Sequence, residues 1–175
     1  MTPPLLERLG ARDRALFVRM ALDARNAHPL LSFWRTITHL GGARGSIGVC
    51  VASLAIPAVT VRIAWHALLV LGLSHVVVHI VKRVAGRERP TVALAITSII
   101  AVPDRFSFPS GHACAAMSVA VAFAWAFPLL AVPLLVLALL VGCSRVTLGV
   151  HYPGDVAVGQ AIALLCAYVM FAFVV

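Results

Sequence analysis

Long apolar stretches dominate the chain and fall at residues 45–62, 63–82, 111–128, 129–148 and 155–175. An α-helix rises about 1.5 Å per residue, so roughly 20 apolar residues cross the hydrocarbon layer of a bilayer. Each stretch is near that length, and together they predict five transmembrane helices. Pro128 and Pro133 punctuate the turn between the third and fourth. The segment 91–102 (TVALAITSIIAV) is apolar but too short to cross, and reads as a re-entrant or interfacial piece.

Residues 5–24 follow a different pattern. Wound as a helix, Leu5, Leu6, Leu9, Leu16, Phe17 and Met20 share one side, while Arg8, Arg12, Arg14 and Arg19 lie mostly off it. This predicts an amphipathic helix lying at the membrane interface, with packing on the bundle as the alternative. Asp13 falls inside the apolar arc and breaks the pattern. His28-Pro29 is read as its stop, and 30–40 as a second short helix closed by Gly41-Gly42. The expectation is an all-α polytopic membrane bundle in one domain: an amphipathic N-terminal segment, 1–44, and a membrane-embedded part, 45–175.

Composition agrees with this picture. Charged residues make up 11% of the chain, against roughly 25% for a soluble domain, which is too few for a water-facing surface. Arg and Asp interrupt the first forty residues where a signal peptide would need its apolar core, so insertion without one is expected. The four cysteines, Cys50, Cys114, Cys143 and Cys166, lie in or beside apolar runs without C-x-x-C spacing, and read as packing residues rather than disulfides or zinc ligands. The net charge of +8 would suit nucleic acid in a soluble protein. Five crossings explain it better: of 14 Lys and Arg, Arg62 alone falls on the far side, and all six acids share the charged side. No nucleic-acid partner is expected.

On that charged face three clusters stand out. Lys82 is followed by Arg89-Pro90; Pro109-Ser110-Gly111-His112 opens the third span; Ser144-Arg145 closes the fourth, ahead of His151 and Asp155. Cations at a membrane edge call for an anion, and Lys and Arg on one phosphate make charge-assisted hydrogen bonds. A helix starting at Ser110-Gly111 offers free N–H groups and the positive end of its dipole to the same anion. Gly111 allows close backbone approach, Ser110 can cap or donate, and His112 follows in the first turn. Tyr152-Pro153-Gly154 is a turn, so Asp155 can reach back to one ring nitrogen of His151 and leave the other free as a nucleophile. Singly, each residue has a structural reading: a snorkelling cation, a helix cap, a satisfied core histidine. Jointly they describe an oxyanion site.

The three clusters resemble the signatures of the type 2 phosphatidic acid phosphatase family, which shares its site with vanadium-dependent haloperoxidases. The resemblance covers about 70–175. It implies that Lys82, Arg89 and Arg145 hold phosphate oxygens with help from Ser110 and the Gly111 backbone. It implies further that His151 attacks phosphorus, Asp155 orients it, and His112 protonates the leaving oxygen and later activates water. The substrate implied is a lipid phosphate or diphosphate, phosphatidic acid, phosphatidylglycerophosphate or a polyprenyl type such as undecaprenyl diphosphate. No metal or other cofactor is expected, because three cations and a helix end can stabilise the charge. Many family members have six spans, against five read here. A haloperoxidase and a non-catalytic lipid-binding protein are the alternatives; membrane character opposes the first, and intact His112, His151 and Asp155 oppose the second.

His75 and His79 stand one helical turn apart with Lys82 three residues on, sharing a face. Interior polar packing is the favoured reading, over headgroup contact or metal binding. Ala116, Ala120 and Ala124 form a small-residue row for close helix packing, and Trp34, Trp65 and Trp125 include candidate interfacial anchors. Phe106 and Phe108 stand before the Pro-Ser-Gly-His turn, as loop packing or as contacts for a lipid chain. The positive-inside rule puts the charged face, and with it the site, on the cytoplasmic side of the cell (inner) membrane, although the family's bacterial members often act on the outer leaflet.

Overall fold

The computed structural model describes residues 5–22, 29–102 and 104–173, with side chains from Leu9 onward. The His28 stop and the Leu5, Leu6 and Arg8 side chains fall outside the described residues. Eight α-helices follow in order among the described residues: α1 (Leu5–Met20), α2 (Leu31–Thr38), α3 (Ala43–Ala52), α4 (Val61–Ala85), α5 (Pro90–Ala93), α6 (Gly111–Ala126), α7 (Ala131–Thr147) and α8 (Pro153–Phe173). No β-strand occurs among the described residues.

Local chemistry sets the ends of these helices. Thr60 caps α4, its hydroxyl accepting from the Ile63 N–H at 3.3 Å. Gly86 ends the same helix in a left-handed conformation (φ 57°), a position that suits a residue without Cβ. Pro90 and Pro153 begin α5 and α8, where a missing N–H costs nothing.

Three helices combine spanning length with apolar composition: Val61–Ala85, Pro128–Thr147 (α7 with the 3-10 turn that leads into it) and Pro153–Phe173. Ala43–Ala55 and Gly111–Ala126 are apolar but shorter. The reason for the first shortfall is visible in the sequence. Ile56 is extended because it precedes Pro57, whose ring disfavours the helical region for the residue before it, so the 45–62 run cannot be one helix. The 91–102 segment leaves helix after Ala93 and folds over the turn that follows α7, with the Ile99 N–H bonded to the Leu148 carbonyl at 3.3 Å.

Helix α6 sits at the centre, packed against α4, α7 and α8. Its buried face is built from small residues, among them Ala113, Ala115, Ala116, Ala120 and Ala122, which let neighbouring backbones approach closely. Serines inside the bundle bond to carbonyls one turn back, as Ser74 does to Val70 (2.7 Å) and Ser118 to Cys114 (2.9 Å). In hydrocarbon no water would satisfy these hydroxyls. Large apolar side chains cover the outside instead, including Val61, Val76, Ile80, Leu129, Val132 and Phe173.

Helix α1 presents Phe17 inward, 1% exposed and edge-on to Tyr152 with ring centroids 5.4 Å apart. Leu9, Leu16 and Met20 remain on its exposed side. Asp13, the residue that breaks the apolar arc, also points inward: one carboxylate oxygen accepts from the Gly154 N–H at 2.7 Å.

The start of α8 meets the start of α6 at Gly159. A Cβ there would stand 2.5 Å from the Ser110 carbonyl oxygen, a backbone atom that cannot swing away. Gly159→Val should therefore destabilise the protein by about 1–3 kcal/mol. Gly72 is the control, because a Cβ added there would meet nothing within 4 Å; Gly72→Ala should be neutral or stabilising by up to about 1 kcal/mol. Thermal unfolding in detergent checks both.

Candidate active site

Three loops bearing the sequence clusters are tied together by backbone bonds at one end of the bundle. The Ser107 N–H donates to the Arg87 carbonyl (2.8 Å), and Ser107 Oγ to the Glu88 carbonyl (3.1 Å), joining the α4–α5 loop to the segment before α6. The Ser110 N–H donates to the Asp155 carbonyl (2.9 Å), joining α6 to α8. Residues far apart in the chain are thus held with few degrees of freedom.

The cations converge on one cavity of about 300 Å³, lined by Lys82, Arg89, Arg145, Gly111, His112 and His151 among others. Lys82 Nζ donates to Asp104 Oδ2 at 2.8 Å, and Arg89 Nη2 donates to Asp104 Oδ1. Arg89 also donates to the carbonyls of Asp104 (2.9 Å) and Val150 (2.8 Å), so its fork is fixed from three sides. Burial alone would raise the Asp104 pKa, but the hydrogen bonds from Lys82 and Arg89 hold it below the usual carboxylate range.

Arg145 is different. It is 2% exposed, donates through Nη1 to Thr38 Oγ1 at 2.7 Å, and its Nε has no hydrogen-bond partner. Among the described residues no carboxylate lies within salt-bridge distance of it. A buried guanidinium without a counter-ion is costly, and this one lines the same cavity as Lys82 and Arg89. Ser110, wholly buried at the start of α6, likewise has an unpartnered Oγ.

His151 is 2% exposed and faces two ways. Its Nε2 lies 3.3 Å from Arg89 Nη1. A guanidinium only donates, so Nε2 is the unprotonated nitrogen and the ring proton belongs on Nδ1. Nδ1 lies 3.6 Å from Asp155 Oδ2, an electrostatic contact that is longer than the hydrogen bond expected from the sequence. Burial lowers the His151 pKa to about 4, with Arg89 and Arg145 acting the same way and the Asp155 carboxylate opposing them. The imidazole is therefore neutral at neutral pH.

Asp155 lies behind His151, wholly buried, and accepts from the Tyr152 N–H at 2.9 Å. His112 enters the cavity from the first turn of α6, beside the Gly41-Gly42 turn. His75 and His79 line the same cavity and form no hydrogen bond or ion pair among the described residues.

Four contributors escape the sequence reading. Asp104 and Arg87 look like ordinary loop charges, and Thr38 carries no signal. Asp13 does carry one, because an acid on the buried arc of an amphipathic helix needs a buried partner. That partner is Arg87, which bridges Asp13 (2.7 Å) and Asp155 (2.6 Å).

Over 94 residues the chain is 37% identical to a decaprenylphosphoryl-5-phosphoribose phosphatase of Mycobacterium tuberculosis, a match that spans 51% of this chain and 49% of the relative. The chain thus spans about half the length of that relative. A PAP2-type phosphatidylglycerolphosphate phosphatase of Bacillus subtilis superposes with a TM-score of 0.73 and 26% identity, over 95% of this chain and 86% of that one. LpxE of Aquifex aeolicus shares the fold, with a TM-score of 0.76, 24% identity and coverage of 91% and 94%. The family model of the PAP2 superfamily matches residues 63–175, which include all three clusters, and the chain belongs to that superfamily.

Proposed function

We propose that this protein is an integral-membrane lipid phosphatase that hydrolyses a phosphomonoester or diphosphate of a lipid through a phosphohistidine intermediate. The observation that carries the reading is the buried Arg145 without a carboxylate partner among the described residues, opening on the same cavity as Lys82, Arg89 and both imidazoles. Such a cavity is built for an anion with several oxygens. Apolar helices of spanning length and the named substrates of the matched relatives support a lipid as its carrier.

In this reading Lys82, Arg89 and Arg145 hold the non-bridging oxygens, assisted by the Gly111 N–H and Ser110 at the helix start. His151 Nε2 attacks phosphorus in line while the bond to the lipid oxygen breaks. Asp155 steadies the imidazolium that forms, and His112 gives a proton to the leaving oxygen. Water then attacks the phosphohistidine with His112 as base, releasing phosphate and restoring His151. Three cations and the helix end supply the charge stabilisation, so the chemistry needs no metal.

The membrane arrangement proposed has five crossings, with the α3 segment and α6 as the shorter two, residues 1–44 at the interface, and the site on the cytoplasmic face of the inner membrane. The surplus of basic residues on the site's side supports that orientation.

His151→Ala should reduce phosphate release from phosphatidic acid, phosphatidylglycerophosphate and polyprenyl phosphates to background; wild-type turnover would refute a nucleophilic role. His112→Ala should lower kcat by about 100-fold or more, read in the same assay. EDTA should leave activity unchanged, and a chelator-sensitive enzyme would overturn the metal-free mechanism. Arg105→Cys, exposed on the loop before α6, should resist an impermeant thiol reagent in intact cells and react after permeabilisation. Ready labelling of intact cells would place the site on the other face.

A further inference from the structure

The contacts of Arg87 extend the site into the N-terminal helix. Arg87 lies on the loop after α4, between Lys82 and Arg89 in sequence, but turns away from the cavity they line. Nη1 donates to Asp155 Oδ1 at 2.6 Å and Nη2 donates to Asp13 Oδ2 at 2.7 Å. The guanidinium carbon stands 4.1 Å over the Tyr152 ring, which also meets Phe17 of α1. Asp13 in turn accepts from the Gly154 N–H with its other oxygen. Both ends of a planar fork are occupied by carboxylates, and a ring fixes its plane.

The consequence for Asp155 is geometric. One of its oxygens is held by Arg87, and the other accepts from the Tyr152 N–H and stands 3.6 Å from His151 Nδ1. Without Arg87 a wholly buried carboxylate would rest on one backbone N–H and one imidazole, with no bonded cation to hold its orientation or offset its charge. We propose that Arg87, anchored by Asp13 of α1, is a positioning residue that fixes the Asp155 carboxylate against His151, so that the N-terminal helix is part of the catalytic assembly. This rests on the phosphatase reading for its kinetic consequence, but not for its structural one.

The charged groups that face the His151–Asp155 pair come from every packed element: Arg87 and Arg89 from the α4–α5 loop, Arg145 from α7, His112 from α6, and Asp13 with Arg14 from α1 by way of Tyr152. Removing Arg87 takes a positive charge from beside Asp155. The carboxylate then acts on His151 undiminished and favours the imidazolium.

The test uses the full chain in detergent, with histidine-labelled protein titrated by NMR and turnover measured on a lipid phosphate. Arg87→Met should move the His151 titration upward by about one unit. It should also lower kcat by about tenfold or more with KM changed little, as expected for a residue acting through another. Arg87→Lys, which keeps a cation but cannot fork to two carboxylates, should fall between wild type and Arg87→Met in both measurements. Asp13→Ala should lower kcat less than Arg87→Met, and the double variant should be no worse than Arg87→Met alone, because the two act as one unit. A fall in kcat with an unmoved titration marks Arg87 as merely structural and overturns the proposal; so does a moved titration with undiminished kcat, or additive losses in the double variant. Should Arg87→Met not accumulate folded, Arg87→Lys is judged by the same two measurements. If the wild type releases phosphate from no lipid, the phosphatase reading fails, while the titration still decides whether Arg87 governs His151.

Discussion

Three cations must be kept together at one end of the bundle without collapsing the structure around them, and much of the local architecture follows from that requirement. Like charges in a medium of low dielectric repel strongly, and each also loses water on burial. Arg89 is stabilised by Asp104 and by two backbone carbonyls, and Lys82 by the same Asp104. Arg145 has only the Thr38 hydroxyl and an unpartnered Nε among the described residues. The pairing is uneven: Asp104, which lines the cavity itself, pairs with Lys82 and Arg89, while Arg145 on the same cavity has no such carboxylate among the described residues. The reluctance of His151 to take a proton has the same origin, because burial and two neighbouring guanidinium groups disfavour the imidazolium.

The backbone carries out the assembly. An isolated bridge between Glu88 and Phe106, the Ser107 bonds, and the Ser110–Asp155 bond join segments that the helices alone would leave independent. Gly159 lets α8 come close enough for the last of these. Small residues along α6 allow the same closeness further into the bundle, where packing rather than the hydrophobic effect must hold helices together.

Much of this is legible in the chain. Helices α4, α7 and α8 are readable from apolar length, because a bilayer imposes a minimum that few other environments do. The convergence of Lys82, Arg89, Gly111, His112, Arg145 and His151 on one cavity is readable only jointly, since a single cation at a membrane edge has ordinary structural explanations and the combination with two imidazoles and a helix start does not. The α3 run reads too long because hydropathy averages over Pro57, whereas the backbone responds to that single residue. The contacts of Arg87, Asp104 and Thr38 are not readable at all. Each depends on tertiary placement over long sequence separations, and nothing local marks a loop arginine as the partner of a buried carboxylate. Asp13 falls between these cases: its misfit with the amphipathic pattern is visible, but its meaning requires the fold.

The reach of Thr38 and Asp13 bears on where the working unit begins. The family match starts at residue 63, and the hydropathy runs suggest a division near residue 44. Yet Arg145 leans on a hydroxyl from α2, and the α8 turn is held by a carboxylate from α1. A chain trimmed to the matched signatures would keep every motif residue while stripping two of their supports, so shared ancestry delimits a smaller object than mechanical integrity does.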